Sequence, residues 1–362
     1  MEKLVMDKRL ESLEGIRILA CISIFLSHFR LAFFPNTELW TDGTPLRLFT
    51  SSGDIAVRIL FAISGILISC RYFKKGSYDV RQDMLKLYFR IAPTVLAAHL
   101  LVYVLMSCGL LFNAEAAALS GSQGFLAAFN NFDPSLSGCI KEALFACYLT
   151  GESMYIGPLW IMVYGFLGSL LVLAIIGLCR GDRTLRFIVY LIILFVFNTY
   201  YNYFILGMIA GELYADGAMI RWFEARKFIA LILFLISFIG ISMMDIDDTN
   251  KIMRMLFAVY LELFFLTILG SPISKKILGN KLMLFGGKLA YPFYVLHWPV
   301  IISFSSWLYI KLLSAGLRLG PAVLADLILS GVAVALMALL FHVFIEDAGR
   351  GAIKYIYEHM EG

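Results

Sequence analysis

The stretch EGIRILACISIFLSHF, Glu14 to Phe29, decides how the chain is read. From Ile16 it is apolar over the length of a membrane-spanning helix, yet it begins with Glu14 and Arg17 and carries His28 near its far end. Arg17 and His28 are eleven residues apart, about three helical turns plus about 20°. Arg17, Cys21, Ile24 and His28 therefore form one stripe, with Glu14 close to it. At the helical rise His28 lies about 16 Å beyond Arg17, past the midpoint of a bilayer. An ionisable side chain at that depth is costly unless it faces a cavity or a partner, so His28 is a candidate functional residue. The plainer reading is a neutral histidine that bridges two helices by hydrogen bonds.

The rest of the chain matches that first helix. Of 362 residues 60% are hydrophobic and 15% charged, against about half and about a quarter in soluble domains. Apolar runs recur end to end, and helices are the natural form for them because hydrocarbon offers the backbone no hydrogen bonds. The alternating ten-residue segments of a β-barrel are missing. The expected fold is all-α, a polytopic bundle of about ten spans, near 16–34, 54–71, 91–112, 158–178, 185–198, 203–215, 228–243, 252–269, 289–310 and 321–345. The first run follows Lys3, Lys8 and Arg9 like a signal peptide, but no small-residue cleavage site follows, so it reads as a retained helix.

Loop charge sets the expected orientation. Arg71, Lys74, Lys75, Arg81, Lys86 and Arg90 follow the second span, and Arg180, Arg183, Arg186, Arg226, Lys227, Lys275, Lys276 and Lys281 occupy later loops of the same parity. Glu115, Asp133, Glu142, Glu152, Asp245, Asp247 and Asp248 lie on the opposite side. By the positive-inside rule both termini are cytoplasmic, against the exceptions Lys311 and Arg318. Residues 1–362 then form a single integral membrane domain, and 113–157 is an extracytoplasmic loop long enough to serve or cover a site. The bilayer is the expected surroundings; nucleic acid is not an expected partner, and the oligomeric state is left open. The six cysteines have no metal-ligand spacing, and a disulfide between Cys139 and Cys147, which share that loop, is one reading.

Further constellations carry possible chemistry. KLYFRIAP, Lys86 to Pro93, places Lys86 and Arg90 on one face at a helix start, which suits anionic phosphates as well as ordinary anchoring. In FAISGILIS, Ser64 and Gly65 let helices approach closely, and Trp160 in GPLW suits an interfacial anchor. In LAYPFYVLHWPV, Leu289 to Val300, Tyr291, Tyr294 and His297 lie among Pro292 and Pro299, which are expected to kink or break the span. Arg58 and Glu212 fall near span ends, where they snorkel or cap, whereas Glu262 and His99 lie deeper.

Taken in order, these pieces resemble the membrane acyltransferase-3 family over nearly the whole chain. The resemblance rests on Glu14-Gly15-Ile16-Arg17 with His28, on LFAISGILIS, on Arg90-Ile91-x-Pro93, on Pro158 to Trp160 and on AYPFYVLHWPV. It implies an O-acyltransferase of the cell membrane that takes an acyl group, usually acetyl, from cytoplasmic acyl-CoA to a hydroxyl of a polysaccharide or glycolipid. It implies His28 as the catalytic residue, Arg17, Lys86 and Arg90 as cations for the CoA phosphates, and Glu14, Ser64, Trp160, Tyr291 and His297 as supporting residues, with no metal. His28 suits either general-base or acyl-carrier chemistry. Arg58 stands where the family often has Asp, and Tyr164 and Gly165 stand where an acidic residue often follows PLW. A transporter or flippase with charges along a path, or an inactive relative, are the competing readings.

Overall fold

A computed structural model of the chain describes residues 10–39, 41–75, 80–179, 181–196, 199–244 and 250–346. Lys3, Lys8, Arg9, Arg180, Asp245, Asp247, Asp248 and both termini lie outside the described residues, as do the side chains of Lys74, Lys75 and Arg81. The described residues are mainly helical, with no strand among them.

Among the described residues seven helices are long and apolar enough to cross a membrane: Glu11–Phe33, Gly53–Phe73, Gln82–Ser107, Gly157–Cys179, Lys251–Gly270, Lys281–Ser314 and Leu319–Glu346. The other three expected spans are the helices Arg183–Val196, Tyr201–Asp216 and Lys227–Met243, of 14, 16 and 17 residues. Each falls short of the ~20 residues that hydrocarbon requires of a single straight helix. Tyr201–Asp216 and Ala218–Ala225 together reach that length but are bent by 76°, at Gly217, whose φ of 74° lies in the left-handed region. Among the described residues the count by length is thus seven, or eight with the bent pair as one span.

Of the kink or break expected at the proline pair, no break occurs. The helix runs through Pro292 and Pro299 and loosens only afterwards, into a π-helical turn at Ile301–Ser305. Ser303 and Ser306 donate to the carbonyls of Pro299 and Ile301 at 2.6 and 2.7 Å. These hydroxyls satisfy backbone acceptors where the helical ladder is irregular, as a membrane interior demands.

The chain divides into two compact units. One comprises Met1–Ile24, Trp40–Met84 and Leu167–Lys288. Two of its helices approach closely at Gly65 and Gly207, which explains the small residues of FAISGILIS. A methyl on Gly207 would overlap the Ala62 carbonyl and come within 3.0 Å of the Gly65 Cα. Arg58 and Glu212 do not snorkel here. Arg58 is buried, donates to Asp54 at 2.8 Å and to the Tyr203 hydroxyl, and lies 5.1 Å from the Tyr200 ring centre. Glu212 is buried against Arg186 at 2.8 Å and the Tyr190 hydroxyl at 3.2 Å. Inside apolar surroundings a charge is kept by its partner rather than by water.

The other unit comprises Phe25–Leu39, Leu85–Phe166 and Leu289–Gly362. Its segment 113–157 is a folded cover, with short helices at Asn113–Ser120 and Leu136–Lys141. Ser120 and Ser122 donate to the carbonyls of Ala32 and Leu31 at 2.7 and 2.6 Å, which ties the cover to the end of the first helix. Asn113 donates to the Leu126 and Phe129 carbonyls, both at 3.1 Å, and shapes the turn between them. Cys139 and Cys147 are both buried free thiols. Burial, with the Glu142 charge adding to it, pushes them up to about 11 and about 12.

Gly207→Val is expected to force the Gly65–Gly207 crossing apart and cost about 1–3 kcal/mol or more, as overpacking does. A lowered thermal midpoint in detergent checks this; an unchanged midpoint would show that the two helices do not meet here.

Candidate active site

The His28 imidazole is half-buried and the His297 imidazole fully so. Their rings stack at 5.1 Å with planes 12° apart, and His28 Nδ1 lies 2.8 Å from His297 Nε2. The other nitrogen of His297, Nδ1, meets the backbone carbonyl of Tyr294. A carbonyl oxygen only accepts, so His297 Nδ1 carries a proton and donates it. Neutral His297 then presents a lone pair at Nε2, and His28 Nδ1 must donate to it. His28 Nε2 is left with its lone pair, the form that a general base or a nucleophile needs.

The walls around His28 are aromatic. Phe125 lies 5.8 Å from it and Trp298 5.9 Å, the latter edge-on at 77°. Phe129 packs on Trp298 at 4.9 Å and on Phe125 at 6.0 Å. Gly157 makes room for this cluster, since a side chain there would overlap the Phe129 ring. Phe125 and Phe129 come from the cover segment, and no periodicity or motif marks them in the sequence. Trp298 had one signal, its place beside His297 in LHWPV.

The two tyrosines of the same helix tie it to its neighbours. The Tyr294 hydroxyl donates to the Pro158 carbonyl at 2.6 Å, and the Tyr291 hydroxyl to the Ile91 carbonyl at 2.8 Å. The stretches AYPFYVLHWPV, GPLW and RIAP thus converge, and His28 meets them through His297. Arg90, exposed, and Lys86, half-buried, lie on the turns just before Ile91. Tyr291 is six residues from His297, about 9 Å along the helix.

Other expected residues are placed differently. Arg17 Nη1 donates to both carboxylate oxygens of Glu14, at 3.1 and 3.0 Å, so its charge is shared with that partner. Arg17, Glu14 and Ser64 belong to the unit without His297, Lys86 and Arg90. The Ser64 hydroxyl bonds back to the Leu60 carbonyl at 3.0 Å, within its own helix. Trp160 is 45% exposed and contacts the Tyr164 ring at 6.0 Å, as an anchor would.

His99, buried like His297, has a separate role. Its Nδ1 donates to the Val95 carbonyl at 2.9 Å, and its Nε2 meets Glu142 Oε1 at 3.2 Å. Both nitrogens face oxygen, so the imidazole links the Val95 carbonyl to the Glu142 carboxyl. Glu142 Oε1 also accepts the Tyr155 backbone N–H at 3.0 Å, and the Tyr88 hydroxyl donates to the nearby Leu144 carbonyl at 2.7 Å. These contacts hold the cover to the helix Gln82–Ser107.

A model of an acyltransferase domain, that of the acyltransferase-3 family, matches residues 10–345. The chain belongs to the acyltransferase-3 family. No curated protein matches the chain, and no solved structure does. Membership supports an acyltransferase that works in a membrane, in keeping with the apolar helices.

Glu142→Ala leaves His99 and the Tyr155 N–H without their acceptor, and is expected to cost about 3–5 kcal/mol. Faster proteolysis within 113–157 checks it. Tyr294→Phe, which loses one hydrogen bond, is expected to cost about 1 kcal/mol in the same assay.

Proposed function

We propose that this family member is an integral membrane O-acyltransferase that moves an acyl group, acetyl in the first instance, from acyl-CoA to a hydroxyl of a cell-surface polysaccharide or glycolipid. The observation that carries this reading is the hydrogen-bonded histidine pair, whose chain of donors leaves the lone pair of His28 Nε2 free and the ring held in place. Nε2 takes the proton of the acceptor hydroxyl as its oxygen attacks the thioester carbon. The C–S bond then breaks, and the imidazolium returns that proton to the CoA thiolate. While His28 is charged, its Nδ1–H continues to donate to neutral His297, which stabilises the cation and keeps the ring from turning. In the alternative route the same nitrogen attacks the thioester carbon, the C–S bond breaks with CoA leaving as the thiolate, and the acceptor hydroxyl then displaces the imidazole from the acyl group while its proton passes to the thiolate.

Lys86 and Arg90 are the cations we assign to the donor phosphates; their place on the turns before Ile91 supports this. Arg17, already paired with Glu14, would offer an anion a nearly neutral ion pair, so it contributes less. The loop charges support cytoplasmic entry of acyl-CoA into a cell-membrane protein with both termini inside. Ten crossings would require the three short helices to cross a thinned or locally wetted bilayer.

His28→Ala is expected to abolish transfer from labelled acetyl-CoA in proteoliposomes. His297→Ala, which frees the His28 ring to turn, is expected to lower kcat by about 100-fold with little change in the KM for acetyl-CoA. Turnover by His28→Ala at the normal rate would falsify the proposed chemistry. An acetylated His28 peptide after quenching would identify the acyl-carrier route.

A further inference from the structure

Trp298 is the neighbour of His28 that this chemistry has not yet used. Its side chain is wholly buried, and its indole Nε1 has no hydrogen-bond partner among the described residues. Tryptophan has that one polar atom, and it can only donate. The flanking Phe125 and Phe129 rings, at 5.5 and 4.9 Å, offer at most a weak N–H···π contact. A buried N–H without an oxygen acceptor costs about 1–3 kcal/mol and calls for an explanation, of which a missing ligand is one. Here the donor lies beside the reacting imidazole, 5.9 Å between ring centres, with the two planes nearly perpendicular.

We infer that the Trp298 indole N–H is the oxyanion donor of the transfer reaction, bonding the carbonyl oxygen of the bound thioester. The inference rests on the acyl-transfer reading of His28. As the acceptor oxygen bonds the thioester carbon, the C=O π pair moves onto oxygen. That oxygen carries a full negative charge until the pair returns and expels the thiolate. An N–H held in an apolar pocket stabilises this charge strongly, because no water competes and the donor needs no reorientation. The pocket supplies both conditions. Phe125 and Phe129 exclude water, and the indole is fixed between them and the helix that also carries His297. On this view the aromatic cover does more than seal the site, since it holds the donor dry.

Trp298→Phe keeps an aromatic ring and removes the N–H. Replacement of Trp298 by the isosteric benzothienylalanine changes little but that group, and serves if the phenylalanine variant does not insert. The full chain in nanodiscs is assayed for kcat and KM with acetyl-CoA. The carbonyl stretch of a bound ketone analogue of acetyl-CoA is recorded alongside. The expected result is a fall in kcat of about 100-fold, an unchanged KM, and a carbonyl stretch moved to higher frequency than in the unaltered protein. Normal kcat in the benzothienyl protein overturns the inference, and so does reduced kcat with an unmoved carbonyl stretch, which marks a packing role. If His28→Ala is inactive while the benzothienyl protein turns over normally, the donor assignment fails and the transferase reading stands. If His28→Ala itself turns over normally, both fall.

Discussion

The hydrogen bond from His297 Nδ1 to the Tyr294 carbonyl orders the candidate site, because it assigns every proton that follows. An oxygen that can only accept dictates the tautomer of His297. That tautomer dictates the tautomer of His28, and the lone pair on His28 Nε2 results. In water such a preference would be slight, since either imidazole nitrogen finds a partner. Within an apolar bundle the alternative tautomer would set two lone pairs against each other, at a cost set by desolvation. The arrangement does with two histidines and a backbone oxygen what a carboxylate often does for a catalytic imidazole.

The same constraint governs the rest of the fold. Arg58 with Asp54 and Tyr203, Glu212 with Arg186 and Tyr190, and His99 with Glu142 are ion pairs or proton-sharing pairs. Asp326, fully buried, is met by the hydroxyls of Ser305 and Ser330 at 2.9 and 2.8 Å. Polar contacts of this kind hold helices together where the hydrophobic effect cannot, since lipid is as apolar as the side chains. Ser305 sits at the end of the π-helical turn, so the irregular backbone and the buried carboxyl belong to one arrangement. Against this background a buried group without a partner stands out. Among the described residues Trp298 Nε1 is such a group beside the histidine pair, and in the unit that holds Glu262 neither of that residue's carboxyl oxygens has a partner.

Much of this was legible in one dimension. Hydropathy showed a helical membrane protein, and the spacing from Arg17 to His28 marked an ionisable residue deep in a helix. Five stretches in order pointed to the family that the match over 10–345 bears out. Span number was less legible, because Arg183–Val196, Tyr201–Asp216 and Lys227–Met243 are apolar but short, and hydropathy does not measure how a short helix is accommodated. The proline pair suggests a kink or a break, and the helix instead continues through both prolines and loosens just after them. Proline removes one donor from the ladder, but whether the helix then breaks depends on which groups satisfy the carbonyls nearby. Serines and a π-helical turn do so here.

By itself the sequence determined the apolar solvent, the helical class and the family, and it singled out His28 as a candidate. Each depends on composition, on period along a single helix or on the order of stretches along the chain. Partners were decided only in three dimensions. Nothing in the spacing of His28 and His297, 269 residues apart, says that their nitrogens meet, nor that Phe125 and Phe129 close over them. Nor does the motif of Arg17 reveal that Glu14 already holds its charge. Such contacts join residues distant in the chain or depend on side-chain direction, and only the packed helices choose among the many pairings that hydropathy allows.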